Sequence, residues 1–413
     1  MSSASWSAAW VGVAVLVAGW LPASAELEHV RVGGELRIRG YCWHDSFNQS
    51  LVAPALVTPE VRWPARYFTN RAIGDFLGGQ NVMSYWDWSG RGANYRVIQQ
   101  RTELDVEATF TEDVVACISL DSIDVWGDDF RANPWTGVDA GAVSGDDIEV
   151  YQAFVEANEI GGTPLRLRLG RQELVLGGGW LVGNNTHRTE FSALSFDAIR
   201  ATYSPDFWSL DAFCAKLNER SPLEQDGDVD LYGLYGAYTG IEDLSLDAYW
   251  LWVRDGRSLA DTNGGPIGEA LEEAFGLDDY PVTNLHTVGV RVTGARGALD
   301  FSLDGAYQFG DAGQVGFLFK PNVYGDDDAS FSAWAGSVEA GYTFDVSWQL
   351  RIYLAGAYVD GEDHRDLSFG QWLNPFDAPE ASVSFNRLFS DVSYSVFLDE
   401  MGELSNFWTM RAG

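Results

Sequence analysis

Lysine is nearly absent from this chain. Only Lys216 and Lys320 occur among 26 basic residues, against 60 acidic ones, and the formal net charge is −34. That balance excludes a nucleic-acid binder that works by phosphate neutralisation. Cysteine is also scarce: Cys42, Cys117 and Cys214 are odd in number, far apart and in no CxxC spacing, which argues against a disulfide framework or a zinc site. Each falls in a predicted strand, where a small buried filler role is expected. The histidines His29, His44, His187, His286 and His364 form no HExxH motif or facing pair, and no GxSxG elbow accompanies His187, so a hydrolase finds little support. Beyond the first 25 residues, no apolar run is long enough for a transmembrane helix.

Those first 25 residues read as a secretory signal. Trp10 to Leu21 is apolar but too short to span a bilayer, and Ala23-Ser24-Ala25 precedes Glu26 as an A-x-A-like cleavage site. Met1 to Ala9 lacks the usual Lys or Arg. The expectation is a signal over 1–25 and one domain over 26–413.

What is abundant is aromatic residue and glycine: aromatics make up 14% of the chain, with 17 Trp and 45 Gly. The organising stretch is Pro164 to Tyr203. Leu165 to Leu176 alternates apolar and polar residues, Gly177-Gly178-Gly179-Trp180 opens a loop, and Leu194 to Tyr203 returns as a second strand. Alternation of period two gives a strand with two unlike faces, here one of leucine and one of arginine. In a soluble sheet the leucine face covers a core; in a transmembrane barrel it meets lipid and the arginine face meets a water-filled lumen.

The connections decide between the two. Long stretches, all but 177–193 acidic, at 127–146, 177–193, 218–227, 255–282, 311–330 and 360–404 alternate with short turns at 159–163, 204–206, 240–243, 294–297 and 345–347. One end of the sheet is decorated and the other trimmed, as in outer-membrane barrels, whereas a soluble sandwich has no reason to keep that asymmetry. Strand patterning agrees. Val32, Leu36 and Ile38 oppose Glu35, Arg37 and Arg39 in a first strand over Val32–Gly40, and Leu299, Phe301 and Leu303 oppose Asp300, Ser302 and Asp304. Trp43 to Asn94 lacks sustained periodicity and reads as a long connection before a strand over Tyr95–Phe110. The expected fold class is all-β, an antiparallel transmembrane β-barrel of about thirteen complete strands, with Phe407 to Gly413 beginning another.

The chain resembles the alginate export family of outer-membrane barrels. The residues that carry the resemblance are Gly170-Arg-Gln-Glu-Leu174 with its glycine-bearing loop, Phe196-Asp-Ala-Ile-Arg200, and Phe385-Asn-Arg-Leu-Phe389 followed by Phe397-Leu-Asp399 and Leu404-Ser-Asn406. The resemblance implies an eighteen-stranded barrel, hence a chain truncated at its C-terminus by about four strands, and a channel for passive passage of a polysaccharide or a smaller anionic solute. It needs no catalysis and no cofactor. By the resemblance and the alternation, Arg37, Arg39, Arg101, Arg166, Arg168, Arg171, Arg291 and Arg351 line the path, where guanidinium groups bind carboxylates bidentately. The bland reading, in which arginine and carboxylate pair across a wet lumen, carries equal weight, since Glu35, Glu103, Asp105, Glu107, Asp300, Asp304 and Glu339 share that face. Arg171 breaks phase, so a bulge at Gly170 or a rim position for Arg171 is expected.

Other calls are smaller. Asp226 to Asp230 and Asp326 to Asp328 read as solvated loop charge before calcium sites, Glu269 to Phe275 as a short helix, and Phe385 to Leu388 as either an inward constriction or an ordered surface loop. Expected partners are outer-membrane lipid and lipopolysaccharide, the barrel-insertion machinery and an anionic polysaccharide, with no nucleic acid. The alternatives are a diffusion porin with a mixed-charge constriction and a non-conducting structural or adhesion barrel. A soluble secreted carbohydrate-binding β-protein ranks last.

Overall fold

The computed structural model describes residues 27–49, 86–111, 113–127, 148–186, 191–219, 228–256, 282–311, 329–361, 381–392, 394 and 406–413. The 1–25 segment, the Glu269–Phe275 helix, the Asp326–Asp328 run, Asp226, His187, His364, Phe397–Asp399 and Leu404 lie outside them. Among the described residues no helix is long and apolar enough to cross a membrane.

The strands are β1 (His29–Gln49), β2 (Trp86–Thr111), β3 (Val114–Val125), β4 (Glu149–Ala157), β5 (Leu165–Gln172), β6 (Phe196–Tyr203), β7 (Trp208–Asn218), β8 (Val229–Ile241), β9 (Leu244–Asp255), β10 (Thr283–Arg296), β11 (Leu299–Asp311), β12 (Ala329–Thr343), β13 (Arg351–Val359), β14 (Ala381–Val383) and β15 (Phe407–Ala412). They form one sheet in the order β1 through β13 and then β15, while β14 pairs with β12 in parallel. Every neighbouring pair along the main path is antiparallel, and long connections alternate with short ones throughout. This is the asymmetry expected from the sequence.

Side-chain alternation gives the sheet two opposite surfaces. On the outer one, Trp208, Tyr238, Leu246, Val292, Leu303 and Val338 lie in register across six strands, and all but Val292 are exposed large hydrophobics. A continuous apolar surface of this extent belongs against lipid. Aromatic rows flank it. Toward the long connections, Tyr232, Trp252, His286 and Phe309 stack in sequence with centroids 5.0, 5.5 and 5.2 Å apart. Toward the short turns lie Tyr203 beside Trp208 at 5.4 Å and Tyr342 beside Phe344 at 4.8 Å. Amphipathic rings at two levels are the girdles of a spanning barrel. His286, isolated in the sequence, is a member of one.

Several boundaries differ from the sequence reading. β1 runs on to Gln49 and β2 starts at Trp86, so part of the expected 43–94 connection is paired strand; register shifts between Trp43 and Asn48 scramble the period that would have revealed it. The Leu165–Leu176 strand stops at Gln172, and its return begins at Phe196. The cysteines do lie in strands but are not buried filler: Cys42 is exposed, and Cys117 and Cys214 are half-buried.

Candidate functional site

Two segments fold onto the inner face and meet there. The chain leaves β5 at Gln172 and turns inward because Leu174 and Leu176 have an apolar surface to cover, and both are buried. Gly177 and Gly179 take positive φ of 58° and 72°, reversing the chain so that the Leu176 N–H donates to Val182 O at 3.0 Å. The second segment, residues 384–392 with Tyr394, comes from the β13–β15 connection. Val182 and Phe389 form a parallel bridge, the Phe389 N–H donates to Leu181 O at 2.9 Å, the Gly183 N–H to Phe389 O at 3.0 Å and the Asp391 N–H to Gly179 O at 2.9 Å. Trp180 Nε1 donates to the Tyr394 hydroxyl at 2.9 Å. Burial pushes the Tyr394 phenol above its ordinary value, against the opposing pull of Arg387 and the Trp180 N–H. Together the segments form a clasp, and Phe385 to Leu388 fold inward as its base.

The clasp is docked by two kinds of contact. Leu174, Leu176 and Val182 pack on Leu231, Tyr235, Leu251, Val253 and Leu285, and Trp180, Leu181 and Phe385 pack over the small residues Ala306, Ala333 and Ala335. A polar latch holds the base: the Asn386 N–H donates to Gln308 Oε1 at 2.7 Å, and Gln308 Nε2 donates to Asn386 O at 2.7 Å and to Thr287 Oγ1 at 3.1 Å. The glycine run passes over Arg291. A Cβ at Gly178 would sit 2.8 Å from that guanidinium, so a side chain there would have to displace the Arg291 head group.

The structure places most of the predicted arginines on the inner face with acid partners. Arg37 pairs with Glu35 at 3.0 Å. Arg101 is buried between Glu103 at 3.1 Å and Asp121 at 3.1 Å. Arg166 and Arg168 share Glu156, at 3.9 and 2.6 Å. Arg291 pairs with Asp304 at 2.8 Å, and Arg351 with Asp300 at 2.5 Å and Glu339 at 2.9 Å. The Arg39 guanidinium lies 4.5 Å over the Phe191 ring, contributed by the inward-folded loop. Arg171 is the exception. It pairs in register with Asp197 on the outer face, at 2.9 Å, one residue before β5 ends. No register shift occurs at Gly170; that residue instead takes a φ of 120°, and Arg171 stays outward at the strand's end. An outward arginine near the interface costs only about 0–1 kcal/mol.

The sequence reading missed Arg200, which donates through Nε and Nη2 to Asp211 at 2.9 and 3.0 Å. Its place in alternation with Arg166 and Arg168 across the glycine loop was the available signal. At the long-connection end, a cavity of about 580 Å³ opens between β3–β4 and the clasp, lined by Asp121, Glu149, Tyr151, Phe196, Phe389 and others. No group of residues suited to hold a metal ion occurs among the described residues.

A lipid-type outer face, aromatic rows at two levels, a polar inner face and a segment folded against it define an outer-membrane β-barrel of the channel class. Among solved structures the chain is similar to OccK8 (OprE) of Pseudomonas aeruginosa, at 14% identity and TM-score 0.41 over 78% of this chain and 74% of that one. It is also similar to OmpF of Salmonella typhi, at 12% identity and 0.38 over 80% and 78%, and to the outer membrane channel DcaP of Acinetobacter baumannii, at 12% and 0.32 over 82% and 92%. No curated protein matches it. The sequence profile of the alginate export family matches residues 86–412. The chain belongs to the alginate export family, and is an outer-membrane channel protein.

Proposed function

We propose that the protein passes a saccharide polymer or smaller hydroxylated solutes passively across the outer membrane, along the inner face that carries Arg37, Arg39, Arg101, Arg166, Arg168, Arg291 and Arg351. The long connections face the exterior and the short turns the periplasm. The observation that carries this reading is the pairing of all of these arginines but Arg39 with carboxylates a few ångströms away. A strip of closely alternating donors and acceptors exchanges hydrogen bonds with successive hydroxyls, and no isolated charge traps the chain at one point. Passive passage requires neither a catalytic group nor a cofactor. Outer-membrane lipid, lipopolysaccharide and the insertion machinery are the partners such a barrel requires.

Single-channel recording of the intact protein in planar bilayers tests this. Discrete conductance steps interrupted by added oligosaccharides support it. Bilayers that stay closed would instead favour the non-conducting structural barrel.

A further inference from the structure

The charge lining this path is not the charge a polyanion needs. On the inner face two of the arginines each hold two acids: Arg101 faces Glu103 and Asp121, and Arg351 faces Asp300 and Glu339, while Glu156 is shared by Arg166 and Arg168. Asp247 accepts from neutral donors, the Tyr235 hydroxyl at 2.5 Å and the Ser245 hydroxyl at 2.9 Å. Further down β2, Asp105 and Glu107 follow Glu103 on the inner face and form no ion pair among the described residues. Arg31 stands opposite Glu107 in register without reaching it. In sequence the long connections are acidic as well: 256–282 carries six carboxylates against one arginine, and 360–406 ten against two. Fixed acids along a pore wall concentrate cations and deplete anions, and rings of Asp and Glu set cation preference in channels generally.

We infer that this channel prefers cations, and that the polymer it passes is neutral or basic rather than a polyuronate. The arginines then act as clamps that hold the inner-face carboxylates in register, and Asp105 and Glu107 supply the uncompensated charge. This rests on the channel reading above and names the substrate class for it.

Reversal potentials of the intact protein under a potassium chloride gradient give the K⁺ over Cl⁻ permeability ratio. The expected ratio is above one, and lower in the double variant Asp105→Asn/Glu107→Gln. Neutral oligosaccharides should interrupt the current and oligouronates should not. A ratio below one, or block by oligouronates, would overturn the inference while leaving the channel reading intact. A ratio above one that is unchanged in the double variant would overturn the assignment to those two residues. Absence of any conductance would instead remove the channel reading itself.

Discussion

Replacing Gln308 by alanine should loosen the clasp without unfolding the sheet. Gln308 is fully buried on the inner face of β11, and its amide makes both hydrogen bonds to the Asn386 backbone, each 2.7 Å long. Truncation leaves the Asn386 N–H and C=O without that partner, and each buried group so stranded costs roughly 1–3 kcal/mol. Asn386 is only half-buried, so water recovers part of the loss once the segment lifts, and a net of about 2–4 kcal/mol is the reasonable span. At 1.4 kcal/mol per factor of ten, the docked-to-detached ratio shifts by roughly thirtyfold to several hundredfold. The backbone ladder of β11 with β10 and β12 is untouched, so the variant should keep its heat-modifiable gel shift. In single-channel recordings it should show larger or noisier open currents, and limited proteolysis in vesicles should cut near 384–394 faster. Gln308→Glu, which still accepts from the Asn386 N–H but cannot donate when ionised, should fall between. Currents and cleavage identical to the parent would refute the latch.

Asp121→Ala breaks a buried pair and leaves Arg101 with Glu103 alone. It should cost about 3 kcal/mol in urea unfolding from lipid, near the low end for such losses because one partner remains. Asp197→Ala, which breaks the exposed pair with Arg171, should cost about 1 kcal/mol or less by the same measurement. Gly170→Ala places a side chain on a residue with φ of 120°, against the Ala153 carbonyl, and should lower the folded fraction in refolding assays by the equivalent of about 1–3 kcal/mol. The raised phenol of Tyr394 favours the docked clasp while protonated, because burial penalises the phenolate. Clasp stability should therefore be complete below the ordinary phenol value near 10 and fall as pH rises beyond it. Tyr394→Phe should abolish that alkaline loss, read as pH-dependent current noise.

Much of the barrel was legible because its determinants are local. Leu299 to Phe309 alternates apolar and polar residues except at Gly305-Ala306, and the tight turn at Gly297 supplies the left-handed φ of 64° that the hairpin needs. The inner-face arginines followed from the same parity, and parity alone placed Arg171 out of phase. What sequence could not yield is contact between distant segments. Phe389 meets Leu181 only because both loops fold to the same inner surface, and nothing in either segment's period names its partner. The Leu165–Leu176 run reads as one strand, but Leu174 and Leu176 fall on the parity of Arg166 and Arg168 rather than of Leu165 to Leu169, and beyond Gln172 the chain leaves the sheet to bury them on the inner side. The parity rule also located charges without pairing them. It put Asp304 and Arg291 on one face, but whether the arginine would serve a solute or an adjacent carboxylate depends on cross-strand register, and register placed them directly opposite each other.

The face assignment is the point on which channel, clasp and selectivity all depend, and one measurement reaches it directly. In the Arg168→Cys protein, with Cys42, Cys117 and Cys214 replaced by serine, single-channel current is recorded before and after a water-soluble, charged thiol reagent is added. Residue 168 lies on the inner face beside Glu156, so the current should change in a discrete step as the reagent attaches, while the same reagent should leave a Leu169→Cys channel unaltered. A current that ignores modification at 168, or that responds at 169 instead, would contradict the account.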